Sequence, residues 1–262
     1  MNISDLTMKV DTGIRLKDVI LSKENEAKIK SIIGEIRNAE TFKKYGLTPT
    51  NKVIMYGASG TGKTYLTKAL CNHIAYRMVY VDISSLAGGE VVQNIKEVFN
   101  ATNEIGHCVV FFDECDSIAW SRDSIAVGSQ QLRLSMNTLF QCMDQMNNDN
   151  LFIAATNMFH RIDNAFARRF DVKMEFEPPQ EKIEDVAERF VPHGMSLEAD
   201  TNSEYMYLVN KQCIGNIDFS YYQLKKCVER AAKDSLIKGE TAIKLSNIFN
   251  EVERSLGISI RK

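Results

Sequence analysis

Residues Gly57-Ala58-Ser59-Gly60-Thr61-Gly62-Lys63-Thr64 follow a short apolar run and open a helical stretch. Glycine at Gly57, Gly60 and Gly62 frees the backbone to turn consecutive N–H groups inward. A helix starting at the same place adds the positive end of its dipole. This arrangement suits a chain of phosphates. Lys63 supplies a compact charge for β- and γ-phosphates, and the Thr64 hydroxyl is a hard oxygen ligand for Mg²⁺. The run fits GxxxxGK[ST], a phosphate-binding loop. A glycine-rich turn without a ligand is the bland alternative, and the strand–turn–helix setting weighs against it.

Two further groups of residues stand where such a loop would need them. Phe111-Phe112-Asp113-Glu114 ends the most apolar run in the chain. An aspartate at the carboxyl end of a buried strand can reach the water shell of Mg²⁺, and the adjacent Glu114 can polarise an attacking water. The alternative is that Asp113, Glu114 and Asp116 cap the next segment as a solvated acidic turn. Ala154-Ala155-Thr156-Asn157 again sets a polar side chain just past an apolar run, where Asn157 can hydrogen-bond the lytic water or the γ-phosphate. Beyond it come Arg168 and Arg169, which in isolation read as an ordinary solvated pair.

The elements that must position these residues follow from periodicity. Ile29, Ile32, Ile33 and Ile36 fall at helical spacing within residues 24–38. Apolar runs predict strands at 53–56, 78–81, 108–112 and 151–155, and Val172–Phe176 alternates as an edge strand does. Helical stretches at 63–74, 90–103 and 130–146 lie between them. Strands separated by helices imply parallel pairing with right-handed crossovers, hence an α/β layered domain. After Pro178-Pro179 only helical periodicity is legible, at 181–190, 202–212, 218–237 and 244–255. The boundary expected from this change is 1–177 for a large α/β ATP-binding domain and 178–262 for a small helical one.

Bulk properties narrow the field. With 262 residues the chain can bury a real core, and 44% hydrophobic with 25% charged residues is ordinary for a globular protein. A formal net charge of -2 supplies no global basic field for nucleic acid or an anionic membrane. The six cysteines form no CxxC pair and no zinc-finger spacing with histidine, so buried reduced thiols are expected over a disulfide framework or metal site. Neither a signal peptide nor a membrane span is legible, which gives a cytoplasmic expectation.

Taken together these residues resemble the AAA family of AAA+ ATPases, over about Leu16 to Val252. The resemblance rests on Lys43-Lys44-Tyr45-Gly46-Leu47-Thr48-Pro49, the Walker A loop 57–64, the Walker B segment 109–114 and the second region of homology at 152–171. The Asp163…Arg168-Arg169-Phe170 form is most similar to katanin, spastin and the vacuolar-sorting ATPases. The resemblance implies a P-loop sheet of strand order 5-1-4-3-2 with helices on both faces, followed by a helical lid. It implies a homo-oligomer, a hexamer, with ATP and Mg²⁺ at subunit interfaces, and Arg168 and Arg169 as arginine fingers for the neighbouring site. By the same match Val19, Ile20 and Leu21 lie near the adenine, and Gly215 and Asn216 close over it.

Two features depart from the family pattern. Members that thread polypeptide carry an aromatic residue two positions before a Gly-Glu pair; here Gly89-Glu90 is preceded by Ala87, beside Leu86, in a loop about three residues short. Trp120-Ser121-Arg122 offers an alternative grip. The lid reads Gly215-Asn216-Ile217-Asp218-Phe219, with no convincing sensor-2 arginine. Residues 1–15 are too few for a substrate-recruiting domain, so specificity is expected from loops, lid or a separate partner. Three functions compete. The leading one is remodelling of, or mechanical control over, a partner protein such as a protease. The others are an ATP-dependent nucleic-acid-associated loader or targeting factor, and an ATP-controlled assembly switch.

Overall fold

A computed structural model describes residues 7–8, 13–82, 91–117 and 130–258. The chain divides into two compact units, Met1–Gly57 with Lys63–Glu175, and Ala58–Gly62 with Phe176–Lys262.

The first unit is built on a sheet whose strands, in chain order, are β1 (Thr7–Met8), β2 (Lys52–Gly57), β3 (Arg77–Asp82), β4 (Cys108–Asp113), β5 (Leu151–Thr156) and β6 (Val172–Phe176). Their spatial order is β1-β3-β4-β5-β2-β6. Numbered from the phosphate-loop strand onward, the five longer ones stand as 5-1-4-3-2, the expected parallel order. β1 is an addition that the sequence reading lacked, and it pairs antiparallel with β3 through Thr7↔Val79 and Met8↔Met78. The registers Phe112↔Ala154 and Tyr56↔Thr156 set β5 between β4 and β2. Their carboxyl ends, at Asp113, Thr156 and Gly57, therefore emerge side by side.

The central strands are apolar on both faces because helices cover both: all six residues of β5 and the first five of β4 are buried. Phe99, Phe112 and Phe152 meet edge to face or tilted with centroids 5.1–6.0 Å apart, geometries that suit ring quadrupoles. Buried Asn150 fixes the start of β4: its Oδ1 accepts the Cys108 N–H at 3.0 Å while its Nδ2 donates to the Thr102 carbonyl at 3.0 Å. β6 alternates in burial, as expected of an edge strand, with Lys173 and Glu175 exposed. The helix Lys23–Arg37, capped by the Ser22 hydroxyl, donates to it: Asn25 Nδ2 to the Glu175 carbonyl at 2.6 Å and Lys28 Nζ to the Lys173 carbonyl at 2.8 Å.

The second unit holds the helices Ile183–Ala187, Ser203–Cys213, Tyr221–Ile237 and Leu245–Leu256. Val209, Phe219, Leu224, Val228, Ile248 and Phe249 are fully buried in it. Beside the expected helices it holds a short strand pair that the sequence reading lacked. β7 (Ser196–Glu198) and β8 (Ala242–Lys244) form a parallel pair, each three residues long and too short to show a period of two. All six cysteines are free thiols, and burial pushes Cys71 and Cys213 up to about 12. Among the described residues no helix is long and apolar enough to cross a membrane.

Candidate active site

The turn from β2 into the helix Lys63–Ile74 bends as glycine alone readily allows: φ is 141° at Gly57, 75° at Gly60 and 105° at Gly62. At Gly62 the space where a Cβ would stand is open, so the backbone is bare on that side. At Gly60 a Cβ would lie 2.5 Å from the Ser220 hydroxyl oxygen and 3.0 Å from its Cβ, so nothing larger than glycine fits there. The Thr61 hydroxyl donates to the Ala58 carbonyl at 2.8 Å and closes the turn; Ser59 is exposed.

Lys63 is 7% exposed, and its ammonium donates to the Gly57 carbonyl at 2.7 Å and to Asn157 Oδ1 at 2.8 Å. Burial pushes it down to about 8, although the Asp113 and Asp116 carboxylates pull it up. Next to it the Thr64 hydroxyl donates to Asp113 Oδ2 at 3.0 Å. The second carboxylate oxygen, Asp113 Oδ1, accepts the Glu114 N–H at 3.1 Å. Glu114 itself is exposed and has φ 51°, the left-handed region that non-glycine residues seldom enter. Ser117 pins that turn by donating both its N–H and its hydroxyl to the Glu114 carbonyl, at 3.1 and 3.0 Å. These bonds hold Glu114 in a strained backbone conformation.

The structure thus brings together Lys63, Thr64, Asp113, Glu114 and Asn157 at the carboxyl ends of β2, β4 and β5, the place where parallel sheets bind ligands. The group fits a nucleotide with Mg²⁺. A hydroxyl and a carboxylate already in contact are hard oxygen donors of the kind magnesium takes, and a buried lysine whose charge burial disfavours is suited to an anion. The sequence reading missed two members. Asp116 Oδ1 accepts the Thr156 hydroxyl at 2.7 Å, and the Tyr80 hydroxyl reaches Asp113 Oδ2 at 3.5 Å. Asp116 was visible as a nearby acid, but only the adjacency of β4 and β5 gives it a partner.

The remaining predicted residues have differing surroundings. Asp163 caps the short helix Asn164–Ala167, accepting from Ala165 and Phe166 N–H at 2.7 and 3.2 Å. At its end Arg168 is exposed, whereas the Arg169 guanidinium lies 3.9 Å from the Phe140 ring centroid and Nη1 donates to the Ala165 carbonyl at 3.0 Å. Arg169 Nε is buried without a hydrogen bond, its nearest carboxylate oxygen being Asp144 Oδ1 at 3.6 Å. Val19 is buried, with Ile20 and Leu21 half-buried, between the turn Leu16–Asp18 and the helix Lys23–Arg37. In the second unit, Gly215 (φ 70°) donates its N–H to the Pro179 carbonyl, and Asn216 Oδ1 accepts the Asp218 N–H. Leu86, Ala87, Gly89, Glu90, Trp120, Ser121 and Arg122 lie outside the described residues.

Comparison with known proteins agrees with this geometry. Residues 53–178 match the model of the ATPase family associated with various cellular activities (AAA). The chain is similar to an uncharacterised AAA family ATPase of Sinorhizobium fredii, 29% identical over 68% of this chain and 54% of the relative. It is 29% identical to an ATP-dependent zinc metalloprotease FtsH 1 of Alkaliphilus metalliredigens, over 70% of this chain and 32% of the relative. It is also 29% identical to a proteasome-activating nucleotidase of Methanocaldococcus jannaschii, over 79% of this chain and 51% of the relative. The chain thus spans about a third to a half of the length of these relatives.

Proposed function

The chain belongs to the AAA family of P-loop ATPases through residues 53–178, and from that premise we propose that it binds ATP with Mg²⁺ and hydrolyses it within a ring. Turnover drives the remodelling of, or mechanical control over, a partner protein; a protease is a fitting partner, given the relatives named above. The observation that carries the catalytic part is the convergence of Lys63, Thr64, Asp113, Glu114 and Asn157 at three adjacent strand ends.

Each residue has one task. The backbone N–H groups of Gly57 to Gly62 wrap the phosphates, and Lys63 neutralises the β- and γ-phosphates. Thr64 and Asp113 would hold Mg²⁺, which would supply neutralisation of phosphate charge. Glu114 takes a proton from the attacking water, and Asn157 orients that water or the γ-phosphate. Arg168 and Arg169 form the pair that serves the neighbouring subunit's site, each subunit of a homohexamer completing the next. Val19, Ile20 and Leu21 line the adenine side and Gly215 and Asn216 the lid side, with 1–177 as the large domain and 178–262 as the lid. Six free thiols suit the reducing cytoplasm.

Paired variants test the chemistry. Lys63→Ala should lose productive nucleotide binding. Glu114→Gln should bind ATP as wild type does yet turn over about 10²-fold or more slowly, because only the base is lost. Nucleotide affinity and phosphate release measured on both decide it. Turnover within twofold of wild type for Glu114→Gln would remove Glu114 as the base.

A further inference from the structure

Asp116 lies in the turn Cys115–Ser117, three residues past Asp113, and is half-buried. Its Oδ1 accepts the Thr156 hydroxyl proton at 2.7 Å. The oxygen of that same hydroxyl accepts the Met158 N–H at 2.9 Å. Thr156 is 1% exposed and is the last residue of β5, so its hydroxyl has no water to turn to. Proton and lone pair are both committed, one to the turn after β4 and the other to the backbone just past Asn157. The residue enclosed by this bridge, Asn157, meets Lys63 Nζ at 2.8 Å. A threonine hydroxyl left alone has several staggered positions; one with an acceptor on one side and a donor on the other has a single position that satisfies both.

We propose that Asp116 is a positioning residue for hydrolysis, acting through the Thr156 hydroxyl to hold the tip of β5 so that the Asn157 carboxamide stays in register with Lys63. The proposal rests on the hydrolytic reading given above and adds to it a residue outside the loop, the base and the arginines. The bridge joins the two strand ends that carry Asp113 and Asn157, so that movement of one moves the other. Misplacement of a reacting or orienting group by about 1 Å can cost on the order of 10² in rate. The bond uses one carboxylate oxygen as an acceptor, so a carboxamide oxygen can replace it; charge alone would not survive that exchange.

Four variants separate these roles: Asp116→Ala, Asp116→Asn, Thr156→Val and the double Asp116→Ala/Thr156→Val. The first and third should lower kcat about 10- to 100-fold while ATP affinity changes less than about threefold. Asp116→Asn should stay within about fivefold of wild type, and the double variant should be no slower than the slower single, as expected for two ends of one bond. A readout independent of turnover is the Asn157 side-chain amide resonance pair in the nucleotide-free protein, assigned by its loss in Asn157→Asp. It should shift in Asp116→Ala and remain near its wild-type position in Asp116→Asn. Equal loss in Asp116→Asn and Asp116→Ala, additive effects in the double variant, or an unmoved Asn157 resonance would each overturn the bridge. A wild type that turns over ATP beside an equally fast Asp116→Ala would overturn the bridge and leave the hydrolytic reading standing. Wild type that neither binds nor hydrolyses Mg–ATP would overturn that reading and the positioning role of Asp116 with it.

Discussion

Burial pushes Lys63 down to about 8, against the pull of Asp113 and Asp116. A lysine whose folded value lies below its ordinary 10.5 favours the neutral form on folding. Below about pH 8 it is charged in both folded and unfolded chains, and the desolvation cost is borne in full. Between about 8 and 10.5 the unfolded chain binds more protons, so stability from this group rises with pH, by on the order of 3 kcal/mol across that window. Phosphates beside the ammonium reverse the preference, so ATP binding at pH 8 should take up about half a proton. Calorimetry in buffers of different ionisation enthalpy measures the uptake, and the Lys63 contribution should vanish near pH 6.5, where the ammonium is already charged before ATP binds. At this scale the sequence was informative about types: Lys63, Thr64, Asp113 and Asn157 declared themselves by spacing. Two things were not legible. The left-handed φ of Glu114 has no sequence signal in a residue other than glycine, and the bond from Asp116 to Thr156 exists only because β4 and β5 are neighbours.

Strands with continuous apolar runs, such as β4 and β5, were readable because burial on both faces leaves no polar position to confuse the pattern. β1, with two residues, and β7 and β8, with three each, were not, because a period of two needs more residues to repeat. The short helix Asn164–Ala167 carries a sharper lesson. Successive residues at its end point in different directions, so the paired arginines meet different surroundings. Arg169 is tied to Phe140 and to the Ala165 carbonyl, while the Arg168 side chain has no hydrogen-bond or ionic partner among the described residues. Arg169→Ala should therefore cost about 1–2 kcal/mol of stability, from the lost ring contact and hydrogen bond. Arg168→Ala should stay within about 0.5 kcal/mol of wild type. Denaturant midpoints of the two variants, compared at equal protein concentration, give the answer.

For the molecule as a whole, the proposed ring makes a claim about where the arginines act. A subunit lacking Arg168 keeps an intact phosphate loop, and a Lys63→Ala subunit keeps an intact arginine. Mixing Arg168→Ala with Lys63→Ala should restore part of the activity that neither has alone, since one kind of interface in the mixed ring is complete. Phosphate release against mixing ratio shows it, and mixed rings without rescue would place Arg168 outside the neighbour's site. Assembly also has to be confined to the intended surfaces, and here the bonds from the first long helix to the sheet margin acquire a second meaning. β6 is the last strand on its side, and an uncovered margin is a template on which a strand from another molecule can add. Asn25 and Lys28 occupy two of its carbonyls, and the exposed Lys173 and Glu175 put charge where a stranger would have to pair. The same contacts that fasten a helix to a sheet thus keep the sheet from growing, leaving association to surfaces that can close into a ring rather than to an edge that would extend without end.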